Sequence, residues 1–88
     1  MEIKLALPYF KTKEDAHSYL KKKLAFPDYY GNNLDALYDC LTDIYDKQTI
    51  MIPKEITSPR YLGNYGKQIL LVFQEAAKEN PHLQVFIK

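Results

Sequence analysis

The chain has 88 residues and a formal net charge of +1, with 47% hydrophobic and 26% charged residues. This length and composition predict one globular domain spanning residues 1–88, and they exclude an intrinsically disordered chain. The balanced charge argues against a general nucleic-acid-binding protein, because such proteins carry an excess of Lys and Arg.

Membrane, secretion and disulfide signals are weak or missing in this sequence. The longest entirely apolar run, residues 69–73, is much too short to span a bilayer. The first residues lack the pattern of a signal peptide, so we expect a cytoplasmic location. Cys40 is the single cysteine and cannot form an internal disulfide. It stands in no motif with a histidine, and we expect a buried thiol and not a catalytic nucleophile.

The N-terminal residues predict a β-strand. Ile3, Leu5 and Leu7 alternate with other residues along 2–7, which places them on one face of a strand. Pro8 should end this strand, because proline has no N–H group to donate to a sheet.

A first helix is predicted after this strand. Thr12 precedes the acidic Asp15 by three positions, which is the spacing of a capping box. The helix should continue to about residue 24, because Pro27 forces the residue before it out of helical geometry. Lysines at 21–23 fit a solvated helix end, where the helix dipole favours cations. The buried stripe of this helix should consist of Ala16, Tyr19, Leu20 and Leu24.

The next segment combines an aromatic loop with a second helix. Asn32 or Asn33 can cap the helix, because a short side-chain oxygen accepts a hydrogen bond from a free first-turn N–H. The helix should end near residue 45. Its apolar face is formed at helical spacing by Leu34, Leu37, Leu41 and Ile44.

A row of acids runs along the other face of this second helix. Asp35, Asp39 and Asp43 recur every four residues and Asp46 continues the row, roughly opposite the leucines. Like charges at this spacing repel, and acids near a helix C-terminus oppose its dipole. Five acids and no Lys or Arg fall between Asp28 and Asp46. An arrangement that local stability disfavours often marks a functional surface.

The C-terminal half predicts two further strands and a long helix. Residues 49–52 form a continuous apolar run, typical of a strand covered on both faces. Residues 54–62 contain Pro59 and predict a turn with a short helical piece. A strong helix follows over 64–79, and residues 83–87 alternate as a final strand. The inner side of the long helix should carry Ile69, Phe73, Ala76 and Ala77.

The predicted order is strand, two helices, strand, two helices, strand. Helical crossovers between strands favour parallel pairing with right-handed connections. The predicted fold class is therefore α/β, a three-stranded parallel sheet packed by about four helices in the order β-α-α-β-α-α-β.

One stretch is specific enough to indicate a family. Residues 24–42, LAFPDYYGNNLDALYDCLT, closely resemble the barstar family of intracellular ribonuclease inhibitors, and VFQEA at 72–76 is a second match. The resemblance in length and element order runs nearly end to end and implies the same fold. In that family, the loop and the second helix fill the active-site cleft of a secreted, guanyl-specific ribonuclease. No enzyme activity is expected of the inhibitor itself.

The resemblance implies roles for individual residues. Asp39 would be the central acid, lying where the substrate phosphate would sit, and Asp35 would pair with basic groups beside it. Tyr29 would lie over the catalytic histidine of the ribonuclease, and Gly31 and Asn33 would approach its guanine-binding loop. The candidate partner-binding set is Tyr29, Gly31, Asn33, Leu34, Asp35, Tyr38, Asp39, Thr42, Asp43 and Glu75.

The implied partner is a small basic ribonuclease bound in a 1:1 complex, with a monomeric free chain. Carboxylates on a helix are held in place before binding, which reduces the ordering cost of pairing them with the cations of a ribonuclease cleft. We expect no catalytic residue, metal, cofactor, membrane or direct nucleic-acid contact.

The sequence departs from the family pattern at three positions. Position 38 is often tryptophan in the family and is Tyr38 here; position 43 is usually glycine and is Asp43; position 44 is often aromatic and is Ile44. The well-studied member is strongly acidic, whereas this chain has a net charge of +1. Long-range steering of a basic partner should therefore be weaker here, while local complementarity can remain.

Other interpretations of the acidic row come from the residues alone. An acidic helix face is commonly just solvated surface. A calcium loop needs a different spacing, and paired catalytic carboxylates face each other across a pocket. The alternative function is that of a barstar-fold interaction module or antitoxin that binds a different basic protein.

Overall fold

A three-stranded parallel sheet forms the centre of the computed structural model, which describes residues 1–88. The middle strand pairs in parallel with both neighbours, so the predicted α/β class with a parallel sheet is confirmed. In chain order, the elements are β1 (Glu2–Lys4), α1 (Lys13–Lys23), α2 (Leu34–Thr42), β2 (Gln48–Ile52), α3 (Asn64–Glu79) and β3 (Leu83–Ile87). Short 3₁₀ turns occupy Leu7–Tyr9 and Lys54–Thr57.

The helices begin where local capping predicts. The Thr12 hydroxyl accepts a hydrogen bond from the Asp15 N–H at 3.0 Å, which confirms the cap of α1. Helix α3 has the bounds expected from its apolar spacing. Helix α2 ends at Thr42, earlier than expected, and Asp43 is its C-cap. No helix in the structure has the length and hydropathy that a bilayer-spanning segment needs.

Two further segments differ from the sequence expectation. Strand β1 is shorter than 2–7, because the chain turns into a 3₁₀ segment at Leu7. The helical piece expected within 54–62 is one 3₁₀ turn, so the structure has three α-helices and not about four. Pro53 and Pro59 stand at either side of that turn, and neither can donate the N–H that a longer helix would need.

The helices cover one face of the sheet. The cross-strand row Ile3, Ile50 and Val85 faces the core, in which buried residues from all three helices join. The next row faces outward and includes the exposed Lys4 and Phe86, the latter 48% exposed. The expectation that the middle strand is covered on both faces is wrong, because Ile50 and Ile52 are buried on one face whereas Thr49 and Met51 on the other are partly exposed.

A buried asparagine joins the ends of α2 and α3. Asn80, 4% exposed, caps α3 and donates its side-chain amide to the carbonyls of Leu41 at 2.9 Å and Ile44 at 2.8 Å. Its side-chain oxygen accepts from the His82 N–H at 2.9 Å. The last carbonyls of a helix lack partners within the helix, and here a residue from another helix supplies one. This contact fixes where α2 ends.

A buried histidine joins α1, the loop before α2 and the start of α3. His17 is 1% exposed, and its Nδ1 and Nε2 atoms each lie 2.6 Å from a tyrosine hydroxyl, of Tyr30 and Tyr65 respectively. A neutral imidazole donates from one ring nitrogen and accepts at the other, which matches two hydroxyl partners. Burial lowers the pKa of His17, although the nearby Glu14 carboxylate opposes this.

A glycine allows α3 to approach the second 3₁₀ turn. A Cβ atom added at Gly66 would lie 2.1 Å from the carbonyl oxygen of Ile56 and 2.6 Å from its carbonyl carbon. Both atoms belong to the backbone, so neither can move aside without shifting the turn. The absence of a side chain at this position therefore sets the distance between α3 and the turn.

We predict that Gly66→Ala destabilises the protein by about 1–3 kcal/mol, because overpacking displaces backbone. Alanine normally stabilises a helix relative to glycine, so the sign of the effect is informative. Urea unfolding monitored by circular dichroism measures it. Gln68→Ala, at an exposed position of the same helix, should change stability by less than about 0.5 kcal/mol. Equal stability of Gly66→Ala and the wild type would contradict the close approach.

We also predict that stability falls as the pH drops below about 6.5, through His17. The folded-state pKa of His17 is lowered, so as the pH falls the unfolded chain binds a proton before the folded chain does. This proton binding stabilises the unfolded state relative to the folded one. The contribution is fully present above the unfolded pKa and is lost as the pH falls towards the folded one. Urea melts across this window should show the slope in the wild type and in His82→Gln, but not in His17→Gln. A slope that persists in His17→Gln would assign it to another group.

Candidate partner-binding surface

Asn33 organises the start of α2. Its side-chain oxygen accepts from the Ala36 N–H at 2.8 Å, and its side-chain amide donates to the Gly31 carbonyl at 3.2 Å. Of the two candidate caps, Asn33 is therefore the one that acts, while Asn32 has a left-handed backbone with φ of 54°. A side chain at Gly31 would crowd this cap, since its Cβ would lie 3.3 Å from the Asn33 amide nitrogen. Loop and helix are thus locked together before any partner arrives.

Two consecutive tyrosines in this loop have opposite environments. Tyr30 is 6% exposed, packs on the Phe26 ring at a centroid distance of 4.9 Å and reaches His17 with its hydroxyl. Burial raises the pKa of the Tyr30 hydroxyl, so this group stays protonated as a hydrogen-bonding partner. Tyr29 is 87% exposed. An aromatic ring left in water this way is typical of a contact residue in a protein interface.

The acids of α2 are exposed and have no cationic partner within the chain. Asp35, Asp39 and Asp43 are all exposed, and successive members rise by about 6 Å along the helix axis. The only ion pair in the structure joins Lys78 and Glu75, at 3.6 Å. The last turn of α2 contains no basic residue that would compensate the helix dipole. The surface therefore presents uncompensated negative charge to solvent.

A groove between α2 and α3, of about 370 Å³, brings several candidate residues together. We call it the α2–α3 groove. Glu75 reaches this groove from α3, although it stands far from α2 in the sequence. Its carboxylate already contacts Lys78, but the pair is exposed and contributes little stability. The groove is lined by Leu34, Asp35, Tyr38, Leu71, Val72 and Glu75.

A second, larger groove of about 640 Å³ lies between the loop and the C-terminal end of α2. We call it the terminal groove. Four candidate residues line it: Tyr29, Asp39, Thr42 and Asp43. Tyr45 and Asp46 line it too, and Tyr45 is 81% exposed. Neither was among the residues expected from the sequence. For Asp46 the sequence did offer a signal, because this residue continues the row of acids on α2.

The Thr42 hydroxyl is engaged within its own helix. It lies 3.0 Å from the carbonyls of both Tyr38 and Asp39 and donates back to the preceding turn. Its oxygen remains able to accept a hydrogen bond from an incoming donor, because a hydroxyl has two lone pairs. In this rotamer, Thr42 suits a cationic or N–H group on a partner.

Cys40 lies half-buried between these acids. Burial raises the pKa of its thiol, and the carboxylates of Asp43 and Asp39 raise it further. The thiol therefore stays protonated at neutral pH and is a poor nucleophile. Cys40 is half-buried, so the expectation of a fully buried thiol is wrong.

We predict that Asp43→Asn stabilises the free protein by about 0.5 kcal/mol, because it removes a negative charge from the C-terminus of α2. The gain should shrink at high salt, which screens the dipole. Asp15→Asn is a matched control of opposite sign, since Asp15 lies in the first turn of α1, where an acid is favourable. A loss of stability in Asp43→Asn, measured by urea unfolding, would reveal a structural partner for Asp43.

Comparison with known proteins agrees with the resemblance carried by the loop and α2. Residues 1–88 match the protein family described as Barstar (barnase inhibitor) over their whole length. A protein of Bacillus subtilis (strain 168), provisionally named ribonuclease inhibitor YrdF, is 48% identical over 71 residues. That alignment covers 80% of this chain and 78% of the relative. The fold, the loop–helix surface and these matches together show that the chain belongs to the Barstar family, the family of the barnase inhibitor.

Proposed function

We propose that this chain is a stoichiometric inhibitor of a small, basic, guanyl-specific ribonuclease, whose active-site cleft it fills with the Tyr29 loop and α2. The observation that carries the proposal is the row of exposed acids on α2, none of which has a cationic partner within the chain. Family membership supports inhibition and not catalysis. The name of the B. subtilis relative supports a ribonuclease as the target.

The mechanism is occlusion combined with charge mimicry. A ribonuclease cleft is lined by cations that stabilise charge on the phosphate during cleavage. Asp39 would enter that cleft at the phosphate position, and Asp35 would pair with cations beside it. Arg–carboxylate hydrogen bonds in a desolvated cleft are strong and directional. With the cleft filled, RNA has no access to the catalytic groups.

Preorganisation supports this role. Asn33 fixes the start of α2, Asn80 fixes its end, and His17 holds Tyr30 in the loop. Because these hydrogen bonds already exist in the free protein, binding does not have to order the backbone of α2 or of the Tyr29 loop. The ordering cost that offsets the free energy gained when the acids pair with cations is then smaller, and the affinity is higher.

The remaining candidate residues have supporting roles in this proposal. Gly31 and Asn33 would contact the guanine-binding loop through their backbone and remaining hydrogen-bonding groups. Leu34 and Tyr38 would form an apolar contact beside the acids, and Glu75 would add a charge across the α2–α3 groove. Glu75 must compete with its contact to Lys78, so its contribution should be smaller than that of Asp39.

Barnase is a suitable first probe, because the family is described by its inhibitor. Titrating a fixed amount of barnase with this protein should reduce RNA cleavage linearly to zero at one equivalent. Light scattering after gel filtration should show a monomeric free chain and a 1:1 complex. The on-rate should fall as salt is added, since local charges steer the encounter. No inhibition of barnase or of a ribonuclease encoded beside this chain would favour a different basic partner.

We predict that Asp39→Ala weakens binding to the inhibited ribonuclease by about 2–5 kcal/mol or more, because it leaves cations unpaired in a desolvated cleft. This range comes from charge pairs in interfaces generally, the barnase–barstar complex among them. The stability of the free protein should stay within about 0.5 kcal/mol of the wild type, because Asp39 is exposed and unpaired.

Glu55→Ala is the control, since it removes one exposed acid from the second 3₁₀ turn, outside both grooves. Binding by calorimetry and urea unfolding should be measured on all three proteins. If Asp39→Ala bound normally but unfolded easily, Asp39 would be a structural residue and the central role would be wrong.

A further inference from the structure

Strand β3 is an edge of the sheet, because β2 is its only strand neighbour. The Lys88 N–H donates to the Ile52 carbonyl at 2.9 Å, on the side of β2. Successive residues of a strand direct their N–H and C=O groups to opposite sides, so those of positions 84 and 86 also meet β2. The N–H and C=O groups of Val85 and Ile87 therefore point away from the sheet. A row of such groups is a template for pairing with another strand.

The opposite edge of the sheet is protected against pairing, and the β3 edge is not. Strand β1 has three residues, of which Glu2 and Lys4 are charged, and the Ala6 N–H beyond it donates to the Tyr19 hydroxyl at 2.9 Å. Short strands and charged side chains are the means by which proteins keep sheet edges from associating. Strand β3 has five residues, LQVFI, with no charge and no proline, and most of them favour the strand conformation.

Apolar side chains are exposed on both faces of the sheet at this edge. Phe86, which is 48% exposed, lies on the outward face. On the helix-covered face, Val85 lines a groove of about 370 Å³ together with Leu71 of α3, which is 55% exposed. Neighbouring strands lie about 4.8 Å apart, so a strand added to β3 would cover the Phe86 ring and narrow this groove.

A second copy of the chain fits this edge in one register. Pairing about a two-fold axis makes the two β3 strands antiparallel. With the axis at Phe86, the N–H and C=O groups of Val85 meet those of Ile87 in the second copy, and all of these free groups are paired. An axis at Val85 would instead require the Leu83 N–H, which already donates to the Asn80 carbonyl at 3.1 Å.

The side chains agree with the register centred on Phe86. The two copies of Phe86 then form a pair without mutual hydrogen bonds, whose Cα atoms lie only about 4.5 Å apart. Aromatic rings at this spacing attract each other across strands. Lys88 of each copy lies opposite Gln84 of the other, so no like charges meet. The strand is therefore complementary to itself.

We propose that β3 pairs antiparallel with β3 of a second copy about a two-fold axis at Phe86, which joins two three-stranded sheets into one continuous sheet. No residue of β3 lines the α2–α3 groove or the terminal groove, so this contact does not rest on the proposed function. Stable interfaces bury about 1,600 Å², and one pair of strands is a much smaller contact. The dimer therefore forms at high protein concentration, and the chain is a monomer under the dilute conditions of an inhibition assay.

Sedimentation equilibrium from micromolar to millimolar concentration tests the association. The average mass of the wild type should rise towards about twice that of one chain. Phe86→Lys and Phe86→Glu should each raise the dimer dissociation constant by at least about fivefold, because like charges then face each other across the axis. An equimolar mixture of these two variants should associate again, because opposite charges meet. Tyr45→Lys, the same change at an exposed ring outside β3, should behave as the wild type.

Isotope-filtered NMR tests the register. In a millimolar mixture of labelled and unlabelled chains, the α-protons of Phe86 in the two copies should be in contact, because the backbones are closest at a pair without hydrogen bonds. A chain that stays monomeric at millimolar concentration would overturn the proposal. Association that is unchanged in Phe86→Lys, or intermolecular contacts that involve other elements and not β3, would overturn it too.

Discussion

The side-chain amide of Asn80 is the contact on which the placement of the acidic helix depends. Its hydrogen bonds of 2.9, 3.4 and 2.8 Å reach the carbonyls of Leu41, Thr42 and Ile44 at and just after the end of α2, while its backbone closes α3. One residue thereby terminates the longest helix and anchors the shortest. Without it, the last carbonyls of α2 would need water in a region that the core covers. The contact also explains why α2 can carry charges that oppose its own dipole, because a neighbouring helix stabilises its end.

The acidic surface and the core make opposite demands on α2. Leu37 and Leu41 are fully buried against the rest of the molecule, which holds the helix by hydrophobic contact. The acids on the other side weaken the helix and find no compensation within the chain. A helix that depended on its own propensity would not form with this composition, whereas one held by packing and by two capping asparagines does. One face of this nine-residue helix therefore stabilises the fold, and its other face carries the negative charge of the surface.

Local sequence patterns predicted the elements well and their long-range anchors poorly. The cap at Thr12 and the bounds of α3 followed from short-range chemistry, and the motif at 24–42 indicated the family. The roles of His17, Asn80 and Gly66 could not be predicted, because their partners lie many residues away in sequence. Each depends on which elements meet in space, and no periodicity encodes that.

The same limit applies to the candidate surface. The sequence identified the acids of α2 and the exposed Tyr29, but not their division between two grooves on either side of the helix. Tyr45 lay outside every recognised pattern, and only its 81% exposure at the edge of the terminal groove distinguishes it. Both faces of the middle strand were expected to be covered, and one is open. An apolar run indicates that residues are buried, but it does not indicate which element covers them.

The opposite orientations of Tyr29 and Tyr30 constrain how this protein can evolve. One ring lies in solvent and the next in the core, and Asn33, which caps α2, follows shortly after them. Inserting or deleting a residue between Tyr30 and Asn33 would displace either the hydroxyl that meets His17 or the cap of α2. Substitutions can alter what the loop touches, but its length is fixed by folding. Diversification of partners in such a chain must proceed through the chemistry of side chains and not through the geometry of the loop.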